Sequence, residues 1–363
     1  MTFFDERVRA FREWKCEPLG EVIGKGKYGT VLKSSNCAAK VLDLSGKSRK
    51  ARMQAYREHV VAMLQTILLL SRVTPHYPFH YGVTTAFGDA SMSLTMFMEH
   101  FEGSLQDVAA KVFVDCGDWV HLVLQIMHAC VCMSSVFGVV HNDLYPRNVL
   151  IRMLSKGQRT SLTVEGTSYV FEPRFLAVVT DYGIASGELV GARSVPEVCS
   201  STAKVTRRPL FALQSPDAHI LQYEPVLPAF SRDPYTVLKW VFHGQTKLPS
   251  AAMSTRLWAM EALCRIDARL ADFHDDASQI PLFHHLFHED NLRRFGLESA
   301  LLAGASGGSF RCQLSLTEKE EYLRQAAAAL RELGEDESKW LAALRKFREQ
   351  PKNTPAPWAH AAN

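Results

Sequence analysis

The sequence lacks a dominant charge. Its 41 Lys and Arg residues stand against 38 Asp and Glu, leaving a net charge of +3 over 363 residues. That balance does not by itself argue for nucleic acid as a partner. The opening Met1-Thr2-Phe3-Phe4-Asp5-Glu6-Arg7 lacks the apolar core of a signal peptide. The eight cysteines include no C-x-x-C pair, and the close pair Cys130 and Cys132 sits within an apolar run. Reduced, mostly buried thiols in an intracellular, soluble protein are therefore expected. No H-E-x-x-H occurs; His284 and His288 form an i, i+4 pair that can bind zinc, but there is no obvious third ligand beyond Glu289 or Asp290, so part-exposed helical histidines are expected. Residues 119–140 carry no Asp, Glu, Lys or Arg, which is long enough to span a bilayer. However, His121, Gln125, His128, Ser134 and Ser135 interrupt the segment, so a buried helix and no membrane span are expected. Hydrophobic residues at 47% and charged residues at 22% are ordinary globular usage, and the length suffices for two lobes or domains with sizeable cores.

Five short patterns carry chemistry. Gly24-Lys25-Gly26-Lys27-Tyr28-Gly29-Thr30-Val31 fits G-x-G-x-x-G-x-V, in which glycines let backbone N–H groups approach phosphates. A Rossmann turn would need a helix straight afterwards. Here Val31-Leu32-Lys33, Ser34-Ser35-Asn36 and Cys37-Ala38-Ala39-Lys40-Val41 read as strand, turn, strand. Lys40 ends that apolar strand. Glu58 follows among Tyr56, Val60, Met63, Leu64, Ile67 and Leu68, which recur at helical spacing. His141-Asn142-Asp143-Leu144-Tyr145-Pro146-Arg147-Asn148 places a carboxylate and an amide five residues apart after an apolar run. Thr180-Asp181-Tyr182-Gly183 follows the apolar Phe175-Leu176-Ala177-Val178-Val179. Asp181 and Asn148 together offer two hard oxygen ligands of the kind Mg²⁺ needs.

In this order the five patterns resemble eukaryotic-like protein kinases: G-x-G-x-x-G-x-V, the strand lysine, the helix glutamate, H-R-D-x-x-x-x-N and D-F-G. The resemblance spans about residues 20–245. His-Asn-Asp-Leu at 141–144, an inserted hairpin at 162–171, Pro78-Phe79-His80-Tyr81-Gly82 and the Asp-Tyr-Gly turn look like the divergent Ser/Thr protein kinases of large nucleocytoplasmic DNA viruses. If the chain is viral, it would work in host cytoplasm or in the virion; a divergent cellular kinase is the alternative.

The resemblance implies an α+β, bilobal fold, with a small antiparallel sheet lobe carrying one long helix and a larger, mostly helical lobe. The implied layout is an amphipathic lead-in helix at 1–14, a small lobe at 15–98, a large lobe at 99–315, C-terminal helices at 316–350 and a disordered tail at 351–363. It also implies Mg²⁺ (with Mn²⁺ as a substitute) and ATP as cofactors and a protein Ser/Thr hydroxyl as acceptor. In this reading Asp143 is the catalytic base, Lys40 fixed by Glu58 holds the α- and β-phosphates, and Asn148 and Asp181 bind metal. Gly24, Gly26 and Gly29 cover the phosphates. Ile23, Val31, Ala38 and Leu150 sandwich the base. Met98 is the gatekeeper, and Glu99, His100 and Phe101 continue the hinge, with backbone groups facing adenine.

Departures from the pattern matter as much. Asn142 stands where the family has an Arg that meets a phosphorylated activation segment, so control by phosphorylation at Ser200, Ser201, Thr202 or Thr206 is not expected. Tyr145 replaces the Lys that neutralises the γ-phosphate, and Arg147, four residues after Asp143, can supply that charge. No A-P-E motif follows Asp181; Arg207-Arg208-Pro209 and Gln222-Tyr223-Glu224-Pro225 stand where the substrate platform is expected. Asp233 is expected to cap the next helix and brace the loop at 141–148. Thr317-Glu318-Lys319-Glu320 resembles a capping box, and Trp340, Leu341, Leu344 and Phe347 form an apolar stripe on a further helix. A small-molecule phosphotransferase and a binding-only pseudokinase remain as alternatives.

Overall fold

Residues 22–99 alternate between short β-rich runs and one long helical stretch, and the fold follows that division. The computed structural model describes residues 2–16, 18–25, 29–34, 37–87, 92–113, 115–185, 229–244, 248–269, 279–303, 310–315 and 317–322, with positions 324 and 328. It is an α+β fold. Helix α1 (Phe3–Glu13) starts at a capping box between Thr2 and Asp5, which satisfies the first free backbone N–H groups. Strands β1 (Val22–Lys25), β2 (Thr30–Ser34) and β3 (Cys37–Asp43) lead to helix α2 (Arg49–Leu70), then to β4 (His80–Phe87) and β5 (Met92–Glu99). These strands form one antiparallel sheet in the order β1-β2-β3-β5-β4. Lys40 lies opposite Met96 in it, and Ala38 opposite Met98. The helix α2 face carrying Val61, Leu64 and Leu68 is fully buried, worth about 1.5–3 kcal/mol for each large side chain.

The chain continues through β6 (Gly103–Ser104), α3 (Leu105–Val112) and α4 (Cys116–Phe137) to β7 (Val149–Met153). Helix α4 runs from an Asp115–Asp118 capping box to Gly138, whose left-handed φ of 64° suits a residue without a Cβ. It is the one helix among the described residues long and apolar enough to cross a membrane, yet 89% of its most apolar window is buried inside the fold. Protein, not lipid, covers it. Gln125 on α4 is fully buried and clamps the strand that leads to Asp181: its amide nitrogen Nε2 donates to Phe175 O, and its Oε1 accepts from Ala177 N.

The inserted hairpin forms as expected, with β8 (Thr160–Val164) and β9 (Thr167–Phe171) antiparallel. Strand β10 (Phe175–Val179) then pairs antiparallel with β7. Helices α5 (Ala229–His243), α6 (Met253–Arg269), α7 (Gln279–Phe287) and α8 (Glu289–Arg294) pack beyond it, and β11 (Phe310–Arg311) adds parallel to β8. The histidines of α7 are tied to protein partners. His284 Nδ1 shares a hydrogen bond with the Tyr169 hydroxyl at 2.5 Å, and His285 lies 2.9 Å from Glu261. His288 caps α8.

Two expectations need correction. The C-terminal capping box is built on Ser315, whose Oγ accepts from Glu318 N while Glu318 Oε2 accepts from Ser315 N; Thr317 already lies inside the helical turn. Ser315 and Thr317 both meet the S/T-x-x-E spacing, but Thr317 already has helical backbone, so Ser315 takes the cap. Asp233 does not cap α5 but lies inside it, followed by Pro234. The apolar stripe at 340–347 and the tail at 351–363 lie outside the described residues.

Five histidines are buried among the described residues, and burial shifts four of them strongly. Burial pushes the pKa of His59 down to about 4 and those of His80 and His128 to about 3, and it holds His76 well below its ordinary value. These rings stay neutral in the fold, whereas an unfolded chain would protonate them. Stability is therefore fully present above about pH 6.5 and falls as pH drops from there towards the folded values, by up to about 1.4 kcal/mol per pH unit for each ring. The urea midpoint is expected to drop between about pH 7 and pH 5, above the range where carboxylates titrate. Equal midpoints would contradict the assignment.

Candidate active site

The pairing of β7 with β10 places two key residues side by side. Val149 lies opposite Val179 in that ladder, so Asn148 and Thr180 lie next to each other just off its end. Thr180 N donates to Asn148 O at 2.9 Å, which joins the 141–148 loop to the Asp181 turn.

Lys40 reaches this junction from β3. Its Nζ donates to Glu58 Oε1 at 2.5 Å and to Asp181 Oδ1 at 3.1 Å. Burial alone would lower the lysine pKa, but the two carboxylates outweigh it and raise it above its ordinary value, so Lys40 is an ammonium. Burial also pushes Asp181 up, yet Lys40 outweighs it and the carboxyl titrates below its usual range. Glu58 is raised, chiefly by burial, with Lys40 acting against it. Asp181 takes a left-handed φ of 63°, a conformation that Asp tolerates better than most side chains.

The loop is fixed from several sides. Asp233 is buried in α5, and its carboxylate accepts from His141 N at 2.8 Å and from Asn142 N at 3.0 Å. The bracing role expected of it therefore holds, from inside a helix. The His141 ring bridges the two segments, with Nδ1 accepting from Asp143 N at 3.1 Å and Nε2 donating to Thr180 O at 2.8 Å. Asn142 has a φ of 65°, and its Nδ2 donates to Ile184 O at 3.4 Å. This short amide ties the loop to the Asp181 turn directly. Tyr182 is buried, with its ring centroid 4.3 Å from that of His141. Its ring also meets that of Tyr77 edge-on, with centroids 6.3 Å apart, and the Tyr77 hydroxyl donates to Ala129 O on α4.

Asp143, Asn148 and Arg147 form the open edge. Asn148 is buried and its Nδ2 donates to Asp143 O at 2.7 Å and to Asp143 Oδ2 at 3.1 Å. Arg147 Nη2 lies 3.3 Å from Asp143 Oδ2, with its guanidinium 4.6 Å from the Tyr145 ring centre. A divalent cation fits this donor set. The Asn148 amide nitrogen is committed to Asp143, which leaves its carbonyl oxygen, and the Asp181 side chain is 40% exposed. Mg²⁺ is usually held by one or two such oxygens together with phosphate and water. Among the described residues no cluster of three His, Cys, Asp or Glu side chains could hold a metal by itself.

Around this centre, Gly29 is required by close approach, since a Cβ there would lie 2.4 Å from Val41 O. Gly24 is under no such constraint, and Gly26 lies outside the described residues. Ile23 is 44% exposed on β1, Ala38 is buried, and Val31 and Leu150 are half-buried. Met98 lines a cavity of about 20 Å³ together with Glu58, Phe79, His80, Asp181 and Tyr182. At the expected hinge, two backbone groups already have partners. Glu99 N donates to Phe79 O, and His100 O accepts from Arg152 at 2.5 Å. Both backbone groups are committed inside the protein. The Glu99 side chain is buried between Arg7 and Arg152. Reading motifs missed Arg7, Arg152 and Gln125. The signal for Arg7 was a lone charge between Phe3, Phe4, Val8 and Phe11 on one helical face.

No protein-family model matches this sequence, and no curated protein matches it.

Asp233→Ala would leave the buried N–H groups of His141 and Asn142 without their acceptor, at a cost of about 1–3 kcal/mol each. Amide exchange across residues 141–148 is expected to accelerate, with a lower melting temperature. Unchanged exchange in that loop would show that Asp233 does not brace it.

Proposed function

We propose that the chain is an ATP- and Mg²⁺-dependent protein kinase of bilobal architecture, transferring the γ-phosphate to protein Ser/Thr hydroxyls. One observation carries the reading: Lys40 is held between Glu58 and Asp181, and Asn148 joins that group to Asp143. The five-stranded sheet with α2, set beside a mostly helical remainder, supports the bilobal arrangement. The acceptor class comes from the family resemblance. Residues 186–228, where a peptide platform would lie, are outside the described residues.

In this reading each side chain has an electrostatic or positional task. Lys40, kept cationic by two carboxylates, holds the α- and β-phosphates. Glu58 fixes the direction of Lys40. Asp143 orients the acceptor hydroxyl and takes its proton, with its carboxylate aimed by the Asn148 amide. Arg147, close to Asp143 and 56% exposed, is free to swing towards phosphate charge at the transfer point. Bound Mg²⁺ would neutralise phosphate charge, held through Asn148 and Asp181. Phosphoryl transfer depends mainly on such alignment and charge compensation. The link from Asn142 to Ile184 supports an Asp181 turn set without activation-segment phosphorylation.

Labelled phosphate from Mg·ATP is expected on Ser or Thr of casein, histone or myelin basic protein. Asp143→Asn should reduce that transfer by about 10²–10⁴-fold while ATP still binds. ATP binding without protein labelling would redirect the reading to small hydroxyl acceptors. No ATP binding at all would overturn it in favour of a binding-only pseudokinase.

A further inference from the structure

Arg7 is the most deeply buried charged side chain of α1, at 3% exposure. Its Nε and Nη2 donate to the two oxygens of Glu99 at 2.8 and 2.7 Å, its Nη1 to Pro75 O at 2.7 Å and its Nη2 also to Tyr77 O at 2.5 Å. Glu99 ends β5, and residues 100–102 then cross to β6. The same carboxylate accepts from Arg152 Nη1 at 2.8 Å and from Phe79 N at 3.2 Å. Arg152 belongs to β7, the strand that starts directly after Asn148, and it also holds His100 O. One carboxylate thus joins the N-terminal helix, the 75–79 turn, the crossover and the strand leaving the Asp143 loop. Burial pushes Glu99 up, but Arg7 and Arg152 outweigh it and keep it ionised.

Aromatic contacts seat the helix on this joint. Phe11 stacks on Phe79 at 4.8 Å, Trp14 stacks on Tyr81 at 5.3 Å, and Phe4 meets Phe310 edge-on at 4.8 Å. Stability alone does not call for ions here. A buried ion pair is often no more stabilising than well-packed apolar residues of the same volume. What a two-pronged guanidinium adds is orientation.

We propose that α1 is a strap behind the 99–102 crossover, and that Arg7 is a positioning residue that sets nucleotide affinity through Glu99. The inference rests on the kinase reading, in which that crossover faces adenine. Arg7 touches no substrate in this arrangement. It fixes the carboxylate that, with Arg152, fixes the backbone between β5 and β6.

The test is titration of the full-length chain with an N-methylanthraniloyl-ATP probe in Mg²⁺. Wild type is compared with Arg7→Met, Glu99→Gln, the double variant, Arg7→Lys and Leu263→Ala. Arg7→Met is expected to raise Kd at least about fivefold, the lower end of typical coupling between sites. The double variant should bind no more weakly than Glu99→Gln, because the two residues act as one. Arg7→Lys, which keeps the charge but loses the fork, should raise the KM for ATP and leave kcat within about twofold. Leu263→Ala, a core truncation in α6, should lower the melting temperature and leave Kd unchanged. If wild type binds the probe and the Arg7 variants bind equally well, the strap is wrong and the kinase reading stands. If Leu263→Ala weakens binding as much as Arg7→Met, Arg7 is merely structural and the strap is again wrong. If Arg7→Met does not fold, Arg7→Lys decides by the same criteria. If wild type itself does not bind, the kinase reading fails and the strap falls with it.

Discussion

The Lys40 ammonium between two carboxylates is the interaction on which the site depends. Desolvation acts to strip the proton from a lysine in this position, and Glu58 and Asp181 together reverse that tendency. Each member comes from a different element: Lys40 from β3, Glu58 from α2, Asp181 from the turn after β10. The geometry therefore exists only when sheet, helix and turn are all in place. Loss of one carboxylate would leave an undercompensated buried charge, which costs more than removing the whole group.

The rest of the scaffold serves to bring Asp181 and the 141–148 loop to that ammonium. The β7–β10 register sets Asn148 beside Thr180, and Gln125 and His76 grip β10 through Phe175 and Ala177. His141 then closes the gap by bonding both segments, while Asp233 holds the loop backbone from below. Buried polar side chains are costly unless paired. Here their partners are backbone groups of β10, the 141–148 loop and the Asp181 turn, so the pairing that satisfies them also fixes the geometry. Two residues with left-handed backbones, Asn142 and Asp181, lie at the turns that result. The strain of such conformations is held by neighbours that leave no other arrangement.

Much of this was legible in the sequence because it depends on spacing. The 18-residue interval from Lys40 to Glu58 and the five-residue interval from Asp143 to Asn148 both correspond to direct contacts. The apolar run from 119 is a buried helix as far as Phe137 because its surroundings are apolar on every side, and the inserted hairpin followed from alternation and a Gly turn. The bracing by Asp233 was also readable, but its position inside α5 was not, since Asp before Pro looks like a helix start. The Arg7–Glu99–Arg152 group was hidden for a different reason. Its members are 92 and 53 residues apart, and nothing local marks long-range ion pairs. Glu99 was therefore read only for its backbone, facing adenine, while its side chain pairs in the protein interior.

The most direct test of the account is a crystal structure of the full-length chain grown with Mg²⁺ and a non-hydrolysable ATP analogue. The account predicts that Lys40 Nζ contacts the α- or β-phosphate while still paired with Glu58, and that the γ-phosphate lies beside Asp143. A nucleotide bound elsewhere, or a saturated crystal with the space in front of Lys40 empty, would contradict it.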